Sequence, residues 1–261
     1  MDGYDDYYKS HSSPEFHNWL FMQGPLPIIC ILTAYLVFVY KVGPAFMANR
    51  EPYKLQVVLI GYNLFAAVYS LGIIVMYFVS GGFNYLYTKG LCRSDSMTED
   101  LAHSLSSIFW WFLIAKIMEL ADTVFFVLRK KQQQVTFLHV YHHTIMTLAV
   151  WYISKYHPCE QALINGQLNS LVHVFMYLYY MLAAMGPRYE KYLWWRKYLT
   201  VLQLVQFSLL IIYSSYLLLF DCRHPKSVSI FFLFFHTLFW YMFASFYYKA
   251  YIKKPKYNKF T

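Results

Sequence analysis

The 261-residue chain is 59% hydrophobic and 13% charged, against about 25% charged residues in ordinary soluble domains, which excludes a soluble globular protein. Its net charge of +9 would point to nucleic acid in a soluble chain. Here the basic residues lie in short gaps between long apolar blocks, so the expected partner is a lipid bilayer and no nucleic acid.

The first 25 residues read as a short lumenal segment with four acids and one Lys. They lack the basic start and small-residue cleavage site of a signal peptide, so the first span is expected to be retained. Seven apolar stretches long enough to cross a bilayer follow, at 26–46, 56–80, 105–128, 136–154, 161–185, 199–220 and 228–248. Gly43-Pro44, Gly81-Gly82, Gly186-Pro187 and His224-Pro225 punctuate them. The predicted fold is an all-α membrane protein with seven transmembrane helices filling 26–250 and a basic tail at 251–261. No internal repeat divides it, which argues against a transporter built from two halves.

Orientation follows from loop charge. One side collects Lys41, Arg50, Lys54, Arg129, Lys130, Lys131, Arg188, Lys191, Arg196, Lys197, Lys249, Lys253, Lys254, Lys256 and Lys259; the other holds only Lys9, Lys89, Arg93, Lys155, Arg223 and Lys226. The richer side is expected to be cytosolic, with the N-terminus lumenal and the C-terminus cytosolic. Cys92 and Cys222 then share the oxidising side, where a disulfide and two free thiols are both open readings.

Ionisable residues at bilayer depth cost roughly 2.5–3.5 kcal/mol each on insertion scales, so a cluster of them signals function. The third span carries Lys116, Glu119, Asp122 and Thr123 within about one-third of the helix circumference. An ion-pair network that only cements helices is the plain alternative. The fourth opens with His139, His142 and His143 at i, i+3 and i+4, one stripe of imidazoles. On the fifth, Asn169, His173, Met176, Tyr177 and Tyr180 share a face, and the sixth adds Thr200, Gln203 and Gln206.

Imidazole can bind metal, act as a base or attack an acyl group. A single His-x-x-His-His cluster is thin for a membrane iron-dependent lipid oxygenase or desaturase, which carries three; Glu119 and Asp122 would have to supplement it. That reading stays as the alternative, beside a seven-span receptor, which has no need of clustered histidines. Acyl chemistry fits the residues better. No Cys lies in the polar belt, so an imidazole is the best available nucleophile toward a thioester.

These motifs resemble those of the very-long-chain fatty acid elongases, the condensing enzymes of the endoplasmic reticulum membrane. The matching residues are Lys116-x-x-Glu119-x-x-Asp122-Thr123, His139-x-x-His142-His143, Asn169-x-x-x-His173-x-x-Met176-Tyr177-x-Tyr179-Tyr180 and Thr200-x-x-Gln203-x-x-Gln206. The resemblance implies that six of seven helices close around a narrow acyl tunnel. It implies condensation of a long-chain acyl-CoA with malonyl-CoA to 3-oxoacyl-CoA, CoA and carbon dioxide, with CoA thioesters as substrates and no cofactor or metal. Carried over, His142 is the nucleophile and His173 positions the reacting carbonyl. His139 and His143 orient it, and Glu119 and Asp122 steady the imidazoles. Lys116, Thr123, Asn169, Met176, Tyr177, Tyr180, Gln203 and Gln206 are expected around the substrate. CoA phosphates would meet Lys130, Lys131, Arg188, Lys191, Arg196 and Lys197, although topology alone also places those charges. The same analogy implies a homodimer working beside the other enzymes of the elongation cycle. The tail departs from a dilysine retrieval signal: Lys259 is third from the end, but Tyr257 and Asn258 precede it.

Overall fold

The computed structural model describes residues 16, 18–90, 99–157, 160–220 and 226–253. Among these, all regular structure is helical. The long helices are α1 (Leu26–Met47), α2 (Gln56–Val79), α3 (Glu99–Leu128), α4 (Phe137–Tyr156), α5 (Glu160–Ala184), α6 (Arg196–Leu219) and α7 (Lys226–Ile252). They fall on the predicted stretches. Four of them, α1, α2, α6 and α7, are long and apolar enough to cross a membrane. The other three, α3 to α5, carry most of the buried titratable residues, Lys116, Glu119, Asp122, His143 and His173, which dilute their apolar character without shortening them. Cys92, Cys222 and most of the basic tail lie outside the described residues; Cys30 is an exposed free thiol on α1.

One boundary signal acts differently from its sequence reading. Gly43-Pro44 does not end α1, which runs on to Met47. Proline has no N–H and its ring collides with the carbonyl four residues back in an α-helix. The turn before it, Phe38–Val42, widens into a π-helix, and that widening makes room for the ring. Gly43 is needed for a second reason. A Cβ there would sit 2.7 Å from Val127 Cγ1 and 2.8 Å from the Phe38 carbonyl oxygen, so only glycine lets α1 approach α3 this closely. Gly81, at φ +80°, turns α2 into the short helix Gly82–Lys89, a left-handed conformation that glycine adopts without steric cost.

The strongest pairings are α2 with α5, α6 with α7 and α3 with α4. Contacts of α2 with α3 and α5 with α6 join these pairs. Rings complete the circuit between α4 and α7: His142 meets Phe239 at 4.9 Å between centroids and Tyr152 meets Phe231 at 6.4 Å. Helix α1 packs against α3 and α4 from outside.

Residues 18–24 lie across the end of the bundle where α3 begins and α4 finishes. Trp110 Nε1 donates to the Leu20 carbonyl at 2.9 Å, Trp151 Nε1 to the Phe21 carbonyl at 2.8 Å, and Lys155 Nζ to the Met22 carbonyl. Phe16 and Met22 are fully buried beneath them. A chain segment without regular structure has backbone groups to satisfy, and here three side-chain donors do so. Trp151→Phe keeps the ring and deletes one donor; it is expected to lower stability by about 1 kcal/mol, read as an earlier thermal unfolding transition in detergent, with Trp151→Ala falling further.

Candidate active site

Helix α4 starts at Thr136, whose Oγ1 accepts a hydrogen bond from the His139 backbone N–H at 3.2 Å. This N-cap satisfies one orphan donor of the first turn and sets the rotation at which the three histidines leave the helix. They diverge. His139 Nε2 lies 2.9 Å from Thr123 Oγ1, and Thr123 Oγ1 lies 2.8 Å from Tyr35 Oη, a relay that ties α4 to α3 and α1. His143 is buried with its ring 4.3 Å from that of His139. His142 points elsewhere, into the rings of Phe239 and Phe243, the latter at 6.0 Å.

The stripe on α3 is almost wholly enclosed: Lys116, Glu119, Asp122 and Thr123 are all buried. Lys116 Nζ donates to both Glu119 carboxylate oxygens, at 2.8 and 3.0 Å, and to Asn169 Oδ1 on α5 at 2.6 Å. All three ammonium protons are therefore placed. Glu119 Oε1 is also 3.0 Å from His173 Nδ1, a contact of proximity and charge whose alignment is not that of a hydrogen bond. One turn along, Asp122 Oδ2 accepts from Tyr177 Oη at 2.9 Å. Tyr62, from α2, stands edge-on to Tyr177 and donates to the Met118 carbonyl at 3.1 Å. The predicted residues of α3 and α5 thus form one network with each other.

Between the helices lies a cavity lined by residues of α2 to α7. Among the predicted site residues, His142, Asn169 and Gln206 line it. The walls are otherwise mostly apolar, with Ile73, Ile108, Phe112, Val150 and Phe235 among them. Asn169 belongs to both groups, one face held by Lys116 and one on the cavity. His173, His139, His143, Glu119 and Asp122 stand behind the wall and are not among its lining residues. Gln203 Nε2 contacts Met176 Sδ at 3.9 Å, and Tyr180 is 40% exposed with its ring 6.2 Å from Tyr177. Thr200 is buried.

Three polar residues of the wall were not singled out from sequence: Asn165, Gln167 and His236. His236 Nδ1 is 3.2 Å from Ser214 Oγ. A single His within Phe-rich α7 gives no periodic signal; its Ser partner one helix away was the only cue. The six basic candidates Lys130, Lys131, Arg188, Lys191, Arg196 and Lys197 are all exposed. The antiparallel order of the helices puts them at the end of the bundle where α4 begins, the end that carries the histidine box. Lys130 Nζ reaches the Ala48 carbonyl at 3.3 Å; Lys191 and Lys197 lie over Tyr192 and Tyr198. Among the described residues no three His, Cys, Asp or Glu side chains converge as a metal ligand set, so the donor geometry lends the iron reading nothing.

An apolar cavity inside a ring of helices, with a histidine on its wall and a buried ion-pair network behind it, describes an all-helical membrane protein with a largely apolar cavity among its helices. The chain belongs to the ELO family, described as the GNS1/SUR4 family, whose model matches residues 20–259. It is 39% identical over 259 residues to a very long chain fatty acid elongase 7 of Rattus norvegicus, covering 98% of this chain and 91% of that one. A Drosophila melanogaster protein of the same name is 38% identical, over 99% of this chain and 78% of the relative. A Homo sapiens very long chain fatty acid elongase 4 is 41% identical, over 93% and 77%.

The network can be tested without any substrate. Lys116→Met leaves Glu119 charged and unpaired in a low-dielectric interior, which costs about 3–5 kcal/mol. The double variant Lys116→Met/Glu119→Gln removes both charges and is expected to recover most of that loss. Thermal unfolding of the purified variants in detergent measures the difference; equal stability of the single and double variants would show that the two groups do not act as a pair.

Proposed function

We propose that this chain is a very-long-chain fatty acid elongase, condensing a long-chain acyl-CoA with malonyl-CoA through an acyl-imidazole on His142. The observation that carries the reading is that His142 alone of the three box histidines lines the cavity. An acyl chain filling that cavity brings its thioester to the one imidazole of the box that it can reach. Family membership supports the substrate class. On this reading all seven long helices span the bilayer of the endoplasmic reticulum, α2 to α7 enclose the acyl chain, and the basic end faces the cytosol. A homodimer and contact with the other enzymes of the cycle belong to the same proposal.

The chemistry balances in two halves. In the first, an imidazole nitrogen of His142 attacks the thioester carbonyl, a C–N bond forms, the C–S bond breaks, and CoA leaves as the thiol with the imidazole proton. In the second, malonyl-CoA loses carbon dioxide, and the electron pair of the broken C–C bond becomes an enolate carbon. That carbon attacks the acyl-imidazole, the C–N bond breaks, and 3-oxoacyl-CoA departs while the leaving imidazolate takes up one proton from solvent, which restores His142. Asn169, held by Lys116 and also on the wall, is suited to hold the reacting carbonyl. Gln206 can donate a second hydrogen bond. His173, fixed beside Glu119, acts on the site through this frame, and His143 and His139 set the rotation of the box. The acyl-imidazole is prone to hydrolysis, and an apolar cavity that excludes water protects it.

Purified protein given labelled malonyl-CoA and a panel of saturated and unsaturated acyl-CoAs is expected to yield 3-oxoacyl-CoA two carbons longer. His142→Ala is expected to reduce that yield by at least about a hundredfold with folding intact. Near-normal turnover of this variant would remove His142 from the nucleophile role. If the exposed basic residues hold CoA phosphates, KM for acyl-CoA rises with salt; Arg196→Gln/Lys197→Gln is expected to flatten that dependence.

A further inference from the structure

Three polar residues of the cavity wall, Asn165, Gln167 and His236, are used by neither the network nor the reaction above, and of these Gln167 stands out. Gln167, on α5, lines the cavity, and both its Oε1 and Nε2 are shielded from solvent without a hydrogen-bond partner among the described residues. A buried amide left unsatisfied is costly and rare. A purely hydrocarbon guest cannot relieve it: a methylene neither donates nor accepts, and a leucine or methionine would line the wall at lower cost. A hydroxyl relieves both atoms at once, donating to Oε1 and accepting from Nε2. Its neighbours on the wall do not compete for that role. Asn169 is engaged by Lys116 and His236 by Ser214.

The position of Gln167 says where along the guest the hydroxyl lies. It precedes His173 by six residues on α5, a helix that runs toward the end bearing the histidine box. Asn169, suited to hold the reacting carbonyl, follows Gln167 by only two residues, so at 1.5 Å per residue Gln167 stands about 3 Å deeper than that carbonyl. That depth corresponds to the first few carbons beyond the thioester.

We propose that Gln167 forms a polar subsite within the acyl cavity that accepts a hydroxyl group carried on the first few carbons beyond the thioester, so that hydroxyacyl-CoAs are substrates alongside plain ones. The proposal rests on the elongase reading for its substrate class.

The test uses the full-length purified protein and acyl-CoAs of one length, plain or with a hydroxyl walked along the chain. Wild-type protein is expected to favour one position among the first few carbons, elongating that hydroxyacyl-CoA about tenfold better than chains hydroxylated elsewhere. In Gln167→Met and in Gln167→Leu, the ratio of kcat/KM for that substrate to kcat/KM for the plain chain is expected to fall by about tenfold or more. A flat or uniformly poor hydroxyl profile in the wild type overturns the proposal, as does an unchanged ratio in the variants. The wild-type profile needs no variant to fold. If the wild type elongates no plain acyl-CoA, the elongase reading fails first, and thermal stabilisation by the same panel then reads the subsite alone. Stabilisation that peaks at one hydroxyl position and is lost in Gln167→Met sustains it; equal stabilisation by all members overturns it.

Discussion

The structure depends on what happens to Lys116 and Glu119. A full charge has almost no place to go inside a membrane bundle, and here two of them lie on one helix, three residues apart. Each needs a partner of opposite sign and enough hydrogen bonds to replace its hydration. The i, i+3 spacing supplies the first. The remaining bond is met only from across the bundle, by Asn169 of α5. That need fixes α3 and α5 in one rotation and one axial register, because slipping either by a turn would strand a charge. Tyr177 and Asp122 repeat the arrangement one turn further on. The relay Tyr35–Thr123–His139 extends it to α1 and α4. The histidine box is therefore oriented from behind by a frame whose geometry is set by electrostatics.

Much of this was legible in the chain. Long apolar runs mark the helices because backbone groups in lipid must be satisfied within a segment. The polar residues stand out because the background is apolar, and the 3.6-residue period shows which of them share a face. What periodicity cannot show is what that face looks at. His139, His142 and His143 share one stripe, yet one meets Thr123, one is buried and one reaches the cavity. The difference comes from side-chain directions and from Phe239 and Phe243, about a hundred residues later. Lys116, Glu119 and Asp122 read equally well as lining and as frame. The structure makes them frame, with Asn169 as the link to the wall.

Other features left no trace in the sequence for definite reasons. Gln167 and His236 are single polar residues in apolar helices, and one residue has no period. The carbonyls of Leu20, Phe21 and Met22 are backbone groups, invisible in a string of side chains, so the role of Trp110, Trp151 and Lys155 in holding that segment emerges only in three dimensions. Gly43-Pro44 has the composition of a helix end, but a neighbouring turn widened to absorb the proline, and tertiary contact with Val127 favoured carrying on.

The division between frame and wall also explains how one small bundle can hold charged groups and an apolar cavity side by side. A charge facing the cavity would draw water after it, and water would fill a space whose walls are mostly apolar. Satisfying Lys116 and Glu119 on each other and on Asn169 leaves neither with unmet demand toward the cavity. What then reaches the wall carries no fixed charge: the imidazoles of His142 and His236 and the amides of Asn165, Gln167, Asn169 and Gln206. Neutral groups can stay dry until a guest arrives, and in a dry site their dipoles act on the guest with little competition from solvent. The same reasoning makes Gln167 conspicuous, since a neutral amide deep in a dry cavity is tolerable but unrewarded unless the guest brings a polar group to it.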